Sequence, residues 1–370
     1  IGPWNYPVFT PMGSIAYALA AGNAVVYKPS ELTTGVGVWL AEALSEVLPD
    51  QALLQTVVGY GETGAALCRA DIDKMAFTGS TATAKLVMAT CAENLTPVVI
   101  EAGGKDALLV DEDADVAAAA DAAAWGAFSN AGQTCIGVER VYVHERVHDR
   151  FVDELVQRAR RVRAGTDADA QIGPMTLAGQ VDVVRRHIDD ALSRGGTAVV
   201  GGPDAVDDRF IQPTVLLDVP EDSTAITEET FGPTVTVNRV RDMDEAVRLA
   251  NGTSYGLGST VFSRSHGADL ARRLRSGMTA VNGVISFAGI PALPFGGVGD
   301  SGFGRIHGPD GLKEFTFAKA VARQRMKPLL ALTTFDRTGR TDASFAALIT
   351  ALHGRTTQFS KRPLRSSGGR

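Results

Sequence analysis

The chain has 370 residues, 45% hydrophobic and 21% charged, with a net charge of −6. That length can bury a large core and commonly divides into two or three domains, and the acidic balance leaves no general nucleic-acid footprint. Three widely spaced cysteines, Cys68, Cys91 and Cys135, imply neither a disulfide framework nor a metal knuckle, so a reducing cytoplasm is the simplest setting.

No charged side chain precedes Lys28, but Pro3, Pro7, Pro11, Asn5 and Asn23 break the opening run. A membrane-spanning helix needs about 20 mostly apolar residues without such breakers, and a signal peptide needs a basic start. Neither is expected. The chain opens on Ile1 rather than Met, with a strand read as already under way, which suggests an amino-terminal truncation.

Apolar runs then alternate with helical patterns, the mark of α/β architecture. Residues 23–30 read as a strand, 33–47 as a helix, 53–59 as a strand and 61–69 as a short helix. A strand over 74–80 enters a helix over 81–90, and 96–104 is a strand stopped by two glycines. The Ala-rich stretch 113–132 is strongly helical, with Asp113 as its cap. Next come a strand at 138–143 and helices at 147–162 and 176–194, followed by strands at 198–202 and 210–219. The final third gives a helix at 243–251, a strand at 258–262, a helix at 265–276 and a strand at 278–282. Beyond a glycine-dense loop (294–311), residues 315–325 read as a late strand. Residues 353–370 carry Arg355, Lys361, Arg362, Arg365 and Arg370 without a carboxylate, the composition of a disordered basic tail.

Two motifs are weaker than they look. His144-Glu145-Arg146-Val147-His148 spells a zinc-protease pattern, but that chemistry needs both histidines on one helix face. Here His144 ends a strand, so no metal is expected. Gly59-Tyr60-Gly61-Glu62-Thr63-Gly64 has dinucleotide-loop spacing between strand and helix. Glu62 would repel a pyrophosphate there, so a tight turn is the better account.

Glu101 leaves an apolar strand just before Ala102-Gly103-Gly104-Lys105. Partial desolvation there raises a carboxyl toward the working range of a general base. Cys135 lies in Ser129-Asn130-Ala131-Gly132-Gln133-Thr134-Cys135-Ile136-Gly137, a glycine-bracketed loop after the long helix. A cysteine taken alone is more often a small buried hydrophobe than a nucleophile. Cys68 and Cys91, inside helical patterns, keep that reading.

Seven separated motifs shift the balance for Cys135. They are Pro3-Trp4-Asn5-Tyr6-Pro7, Lys28-Pro29-Ser30-Glu31, Phe77-Thr78-Gly79-Ser80, Glu101 to Lys105, Gly132 to Cys135, Glu228 to Pro233, and Pro294 to Gly297 with Ser301-Gly302. In this order, over residues 1 to about 326, the chain resembles the NAD(P)-dependent aldehyde dehydrogenases. The resemblance implies an α/β fold with a partial Rossmann-type cofactor domain (1–103) and an α/β catalytic domain (104–298). A return segment with a strand exchanged between subunits (299–326) and an extension (327–370) complete it, with homo-oligomers expected of the full-length protein.

The same resemblance assigns roles. Cys135 would attack a small-molecule aldehyde, forming a thiohemiacetal and then a thioester. Asn5 would help hold the oxyanion, and Glu101 would activate water for hydrolysis. Lys28 and Glu31 would serve the adenosine ribose, with Ser30 beside them among the cofactor-binding residues, Phe77, Thr78, Gly79 and Ser80 the pyrophosphate, and Glu229 and Phe231 the nicotinamide end. A carboxylate at Glu31 favours NAD over NADP, although Lys28 leaves NADP open. Two departures are Ala102 and Ala84, where the family commonly has Leu and Gly. Tyr6, Trp125, Phe287 and Phe295 are candidates for an aromatic entrance, and the glycine-dense loop is similar to that of enzymes for fatty and aromatic aldehydes. A CoA-acylating relative and an inactive fragment with a structural role stay open as alternatives.

Overall fold

The computed structural model describes residues 1–330 and 332–354. The chain runs through α1 (Phe9–Ala20), β1 (Val25–Tyr27), α2 (Thr34–Ser45), β2 (Leu54–Thr56), α3 (Gly61–Arg69), β3 (Met75–Thr78), α4 (Thr81–Ala92) and β4 (Val98–Glu101). It continues with β5 (Asp106–Val110), α5 (Val116–Phe128), β6 (Val138–His144), α6 (His148–Ala159), α7 (Ala178–Ser193) and β7 (Thr197–Val200). Then come β8 (Val206–Asp207), β9 (Phe210–Ile211), β10 (Thr214–Leu217), α8 (Thr224–Thr227), β11 (Thr234–Val240) and α9 (Met243–Ala250). The chain closes through β12 (Ser259–Phe262), α10 (Gly267–Arg273), β13 (Ala280–Val281), β14 (Gly302–Phe303), α11 (Gly308–Glu314) and α12 (Gly339–His353).

The largest sheet has seven strands among the described residues, ordered β13-β12-β5-β6-β11-β10-β7, and is parallel except where β7 meets β10. Its middle strands β5 and β6 are buried at every residue, as expected where helices cover both faces of a parallel sheet. The Ala-rich face of α5 lets that helix lie close to β6. A Cβ at Gly126 would stand 2.7 Å from a Val138 methyl. The cap of α5 is Asp115, which accepts from the Ala118 N–H at 3.1 Å, not Asp113. Asp113 is drawn away by the backbone N–H groups of Arg264 and Ser265.

A smaller sheet, ordered β14-β4-β3, ends at Glu101, and β1 pairs with β2 alone. Residues 1–8 form no strand. Ile1 still bonds like one, its ammonium reaching Ala76 O and its carbonyl accepting from Thr78 N, while Gly2 N reaches Lys28 O. The opening segment therefore bridges the β1 and β3 sheets.

Residues 1–103 and 104–298 contribute separate sheets but share one compact unit, Ile1–Phe317; a second unit begins at Ala318. The expected late strand over 315–325 is not formed: Phe317 and Val321 are exposed, and no strand is assigned there. A strand needs a hydrogen-bonded ladder, which a single chain does not offer that segment. In the second unit, α12 has no buried residue. The basic residues from Arg355 onward lie outside the described residues. Among the described residues no helix is long and apolar enough to cross a membrane.

Candidate functional site

One open cleft of about 820 Å³ gathers all twelve residues singled out from the sequence: Asn5, Lys28, Ser30, Glu31, Phe77, Thr78, Gly79, Ser80, Glu101, Cys135, Glu229 and Phe231. They come from the opening segment before α1, the strand-to-helix turns after β1 and β3, the end of β4, and the loops before β6 and β11.

Cys135 sits just after an unusual turn. Asn130, Ala131 and Gly132 take φ of 54°, 55° and 70°, three consecutive left-handed residues. At Gly132 a Cβ would stand 2.1 Å from Gly232 O, so glycine is required. Cys135 packs against an apolar bed that includes Val99, Leu257, Phe287 and Phe295. Phe287 and Phe295 are buried in that bed, whereas Trp125 is exposed. Asn5 Nδ2 donates to Gln133 O at 3.0 Å, and the Tyr6 hydroxyl lies 2.9 Å from Thr134 Oγ1, tying the amino-terminal segment to the cysteine loop.

Glu101, at the end of β4, is 4% exposed, and neither carboxyl oxygen has a hydrogen-bond partner among the described residues. Burial pushes its carboxyl up to about 7, and the facing Cys135 thiol and Thr78 hydroxyl draw it only partway back, without bonding geometry. Burial, then the charge of Glu101, pushes the Cys135 thiol well above its ordinary value. Glu229 is likewise raised to about 8 by burial, and accepts the Gly104 N–H at 2.9 Å. Its other oxygen fills the space a Cβ at Gly103 would need, 2.2 Å away.

The residues present fit a dinucleotide. Ser80 caps α4 by accepting from Thr83 N, and Thr81, Ala82 and Thr83 line the cleft, so the positive end of that helix faces it. Gly61 and Gly64 of α3 also line it, with open space where a Cβ at Gly61 would stand. Gly59 serves the turn, as expected: its φ is +150° and a Cβ would meet the Thr63 hydroxyl at 2.0 Å. On the rim, Lys28 is buried and lies 3.5 Å from the partly exposed Glu31.

Sequence reasoning missed Gln180, Arg186 and Tyr255 on the cleft wall, residues of amphipathic helix or loop with no signal to single them out. It gave no role to Lys105 and Glu139. Adjacent charges at Glu139 and Arg140, inside an otherwise apolar strand, were the available clue. His144 ends β6 and His148 opens α6, so the zinc-like motif does straddle two elements.

Parallel strands that end at a cleft holding a thiol, a buried carboxyl and a helix amino-terminus define an α/β protein with a ligand site at the strand ends. The aldehyde dehydrogenase family model matches residues 1–321, and the chain belongs to that family. It is 42% identical over 320 residues to 4,4'-diapolycopene aldehyde oxidase of Methylomonas sp, covering 86% of this chain and 60% of that protein. A mitochondrial aldehyde dehydrogenase of Leishmania tarentolae is 40% identical over 339 residues, covering 88% of this chain and 67% of that one. The crystal structure of Mycobacterium tuberculosis aldehyde dehydrogenase complexed with NAD+ superposes with a TM-score of 0.80 at 35% identity, over 85% of this chain and 66% of that one. The chain thus spans about 60% to two thirds of the length of these relatives.

Proposed function

We propose that this chain carries the catalytic and cofactor centre of an NAD(P)-dependent aldehyde dehydrogenase that converts an aldehyde to a carboxylic acid. The observation that carries this is the convergence of Cys135, Asn5, Glu101 and Glu229 on one cleft, with Glu101 buried and unpartnered. Cys135 Sγ releases its proton to solvent and adds to the aldehyde carbon as the thiolate. The new oxyanion accepts from the Asn5 amide and the Cys135 backbone N–H, donors that stand ready before the charge develops. The dinucleotide, when bound, supplies the acceptor for the hydride that the aldehyde carbon gives up. Cys135 then holds the acyl group as a thioester. Glu101, with a value near neutrality, takes a proton from water, which attacks the thioester and frees the acid.

Lys28, Ser30 and Glu31 would hold the adenosine ribose, Phe77 to Ser80 the pyrophosphate, and Glu229 and Phe231 the nicotinamide end. Glu31 on the rim favours NAD, since its charge repels a 2′-phosphate. The apolar bed under Cys135, and the relative named for 4,4'-diapolycopene aldehyde, favour an apolar aldehyde. The unpaired segment 317–325 supports pairing with a second copy in the whole protein. The free thiols support a cytoplasmic setting.

The test follows NAD reduction by absorbance over a panel of aliphatic and aromatic aldehydes, comparing the wild type with Cys135→Ala. Turnover in the wild type alone is expected; equal rates would end this reading. Product analysis separates acid from a CoA thioester.

A further inference from the structure

Glu139 and Lys105 are 6% and 1% exposed, and neither lines the cleft. Lys105 Nζ bonds Glu139 Oε2 and, at 3.0 Å, Thr230 Oγ1. The Glu139 carboxylate accepts two successive backbone N–H groups, from Thr230 at 2.9 Å and Phe231 at 3.0 Å. Consecutive N–H groups in such a turn form a concavity for an anion, and bonds to an ionised acceptor are the strong ones. Thr230 is gripped further: its hydroxyl meets His187 Nδ1 at 3.0 Å, and its carbonyl accepts from Gln180 Nε2 at 2.6 Å. The clamp closes on a strained point, because Phe231 holds a φ of 49° without being glycine. Glu229, reaching Gly104, lies immediately before the clamp, and the Phe231 ring stacks edge-on to Trp4 at 5.7 Å.

We propose that Glu139, balanced by Lys105, is the positioning residue of the cofactor wall: its carboxylate holds the left-handed turn at Phe231 and so aims Glu229 and the Phe231 ring at the nicotinamide half of the dinucleotide. This rests on reading the cleft as a dinucleotide site. Glu139 touches no ligand; it acts through the backbone of Thr230 and Phe231.

The single variant Glu139→Leu strands a buried ammonium and risks misfolding, so the test uses paired changes. Replacing both charges with apolar residues of similar volume commonly preserves a fold. The wild type, Lys105→Met/Glu139→Leu and Lys105→Met/Glu139→Gln are compared without aldehyde. The readouts are NAD and AMP titrations by tryptophan quenching, iodoacetamide alkylation of Cys135, and the thermal midpoint. The Leu double variant is expected to weaken NAD about tenfold, the scale of one lost charge-assisted contact, with AMP affinity and alkylation within about twofold of wild type. The Gln double variant, which keeps an acceptor oxygen, should recover most of the NAD affinity. If the Leu double variant binds NAD as the wild type does, the inference falls. It falls equally if NAD, AMP, alkylation and thermal midpoint all collapse together, or if Gln gives no recovery. A wild type that binds AMP and NAD not at all removes the dinucleotide reading itself, and this inference with it.

Discussion

The side-chain amide of Asn5 donates to the backbone carbonyl of Gln133 at 3.0 Å, across 128 positions of chain. That bond uses one amide hydrogen and leaves the other for an oxyanion formed on Cys135, two residues further on. Asn5→Ala should lower kcat by about 100- to 1,000-fold, the usual effect of losing one such donor (about 2.7–4 kcal/mol), with NAD affinity unchanged. Steady-state kinetics and an NAD titration check both halves. Near-normal kcat would remove Asn5 from the oxyanion site.

The buried carboxyl of Glu101 implies a defined pH response. As a base it works deprotonated, so acid release should rise with pH through about 7 and level off above. Glu101→Gln should give a single burst of NADH and then stall. Rapid-mixing measurements across pH 5.5–9, a window of about two units around that value, separate the burst from turnover. Steady turnover by the variant at the wild-type rate would exclude Glu101 as the base.

Stability should move the opposite way. Folding raises the Glu101 carboxyl from 4.5 to about 7, so the folded state binds more protons between those values and loses stability as pH rises through that window. Glu229 and Asp106, both raised to about 8 by burial, act in the same direction. Glu101→Gln removes the titration. Its advantage over the wild type should therefore be larger at pH 8 than at pH 4 by up to roughly 3 kcal/mol. Urea midpoints at the two pH values test this, and an advantage that does not grow with pH would contradict it.

Two glycines differ in what surrounds them. A Cβ at Gly104 would stand 2.4 Å from the Cys135 carbonyl oxygen, a backbone atom with little freedom to retreat. Gly104→Ala should cost about 1–3 kcal/mol and displace the thiol, cutting kcat at least about tenfold. At Gly179, in the first turn of α7, nothing lies within 4 Å. Gly179→Ala should be neutral or stabilising by about 0.4–1 kcal/mol. Thermal denaturation and alkylation rates for the pair provide the check.

Cofactor choice is testable on the rim. Glu31 is partly exposed and 3.5 Å from Lys28. Glu31→Gln removes the repelling charge and leaves the lysine, so the ratio of kcat/KM for NADP to that for NAD should rise by about tenfold. An unchanged ratio would place the 2′-position of the ribose elsewhere.

Much of this was legible in one dimension. Period-2 and helical patterns located most strands and helices, with 61–69 read to the residue, because local hydrophobic spacing records which side of an element faces the core. The strands β5 and β11 and the helices α1, α11 and α12 went unread, as did the short elements β8, β14 and α8. β5, buried at every residue, has no alternation to detect, β11 did offer a Thr-Val-Thr-Val alternation, and three prolines in the first eleven residues disguised the start of α1. The strand expected at 315–325 finds no hydrogen-bonded neighbouring strand among the described residues.

Sequence by itself determined the chemistry on offer: a thiol in a glycine-rich loop, a carboxyl closing an apolar strand, an amide between prolines and a serine at a helix start, in an order that marked the family. Side-chain identity and local spacing carry that information. Only the tertiary structure decided that Asn5 is tied beside Cys135, that Glu101 is buried without a hydrogen-bond partner among the described residues, and that Lys105 and Glu139 brace the turn at Phe231. Burial and partnership depend on residues tens to more than a hundred positions apart packing into one unit, and desolvation, which sets how these groups ionise, exists only once they have done so.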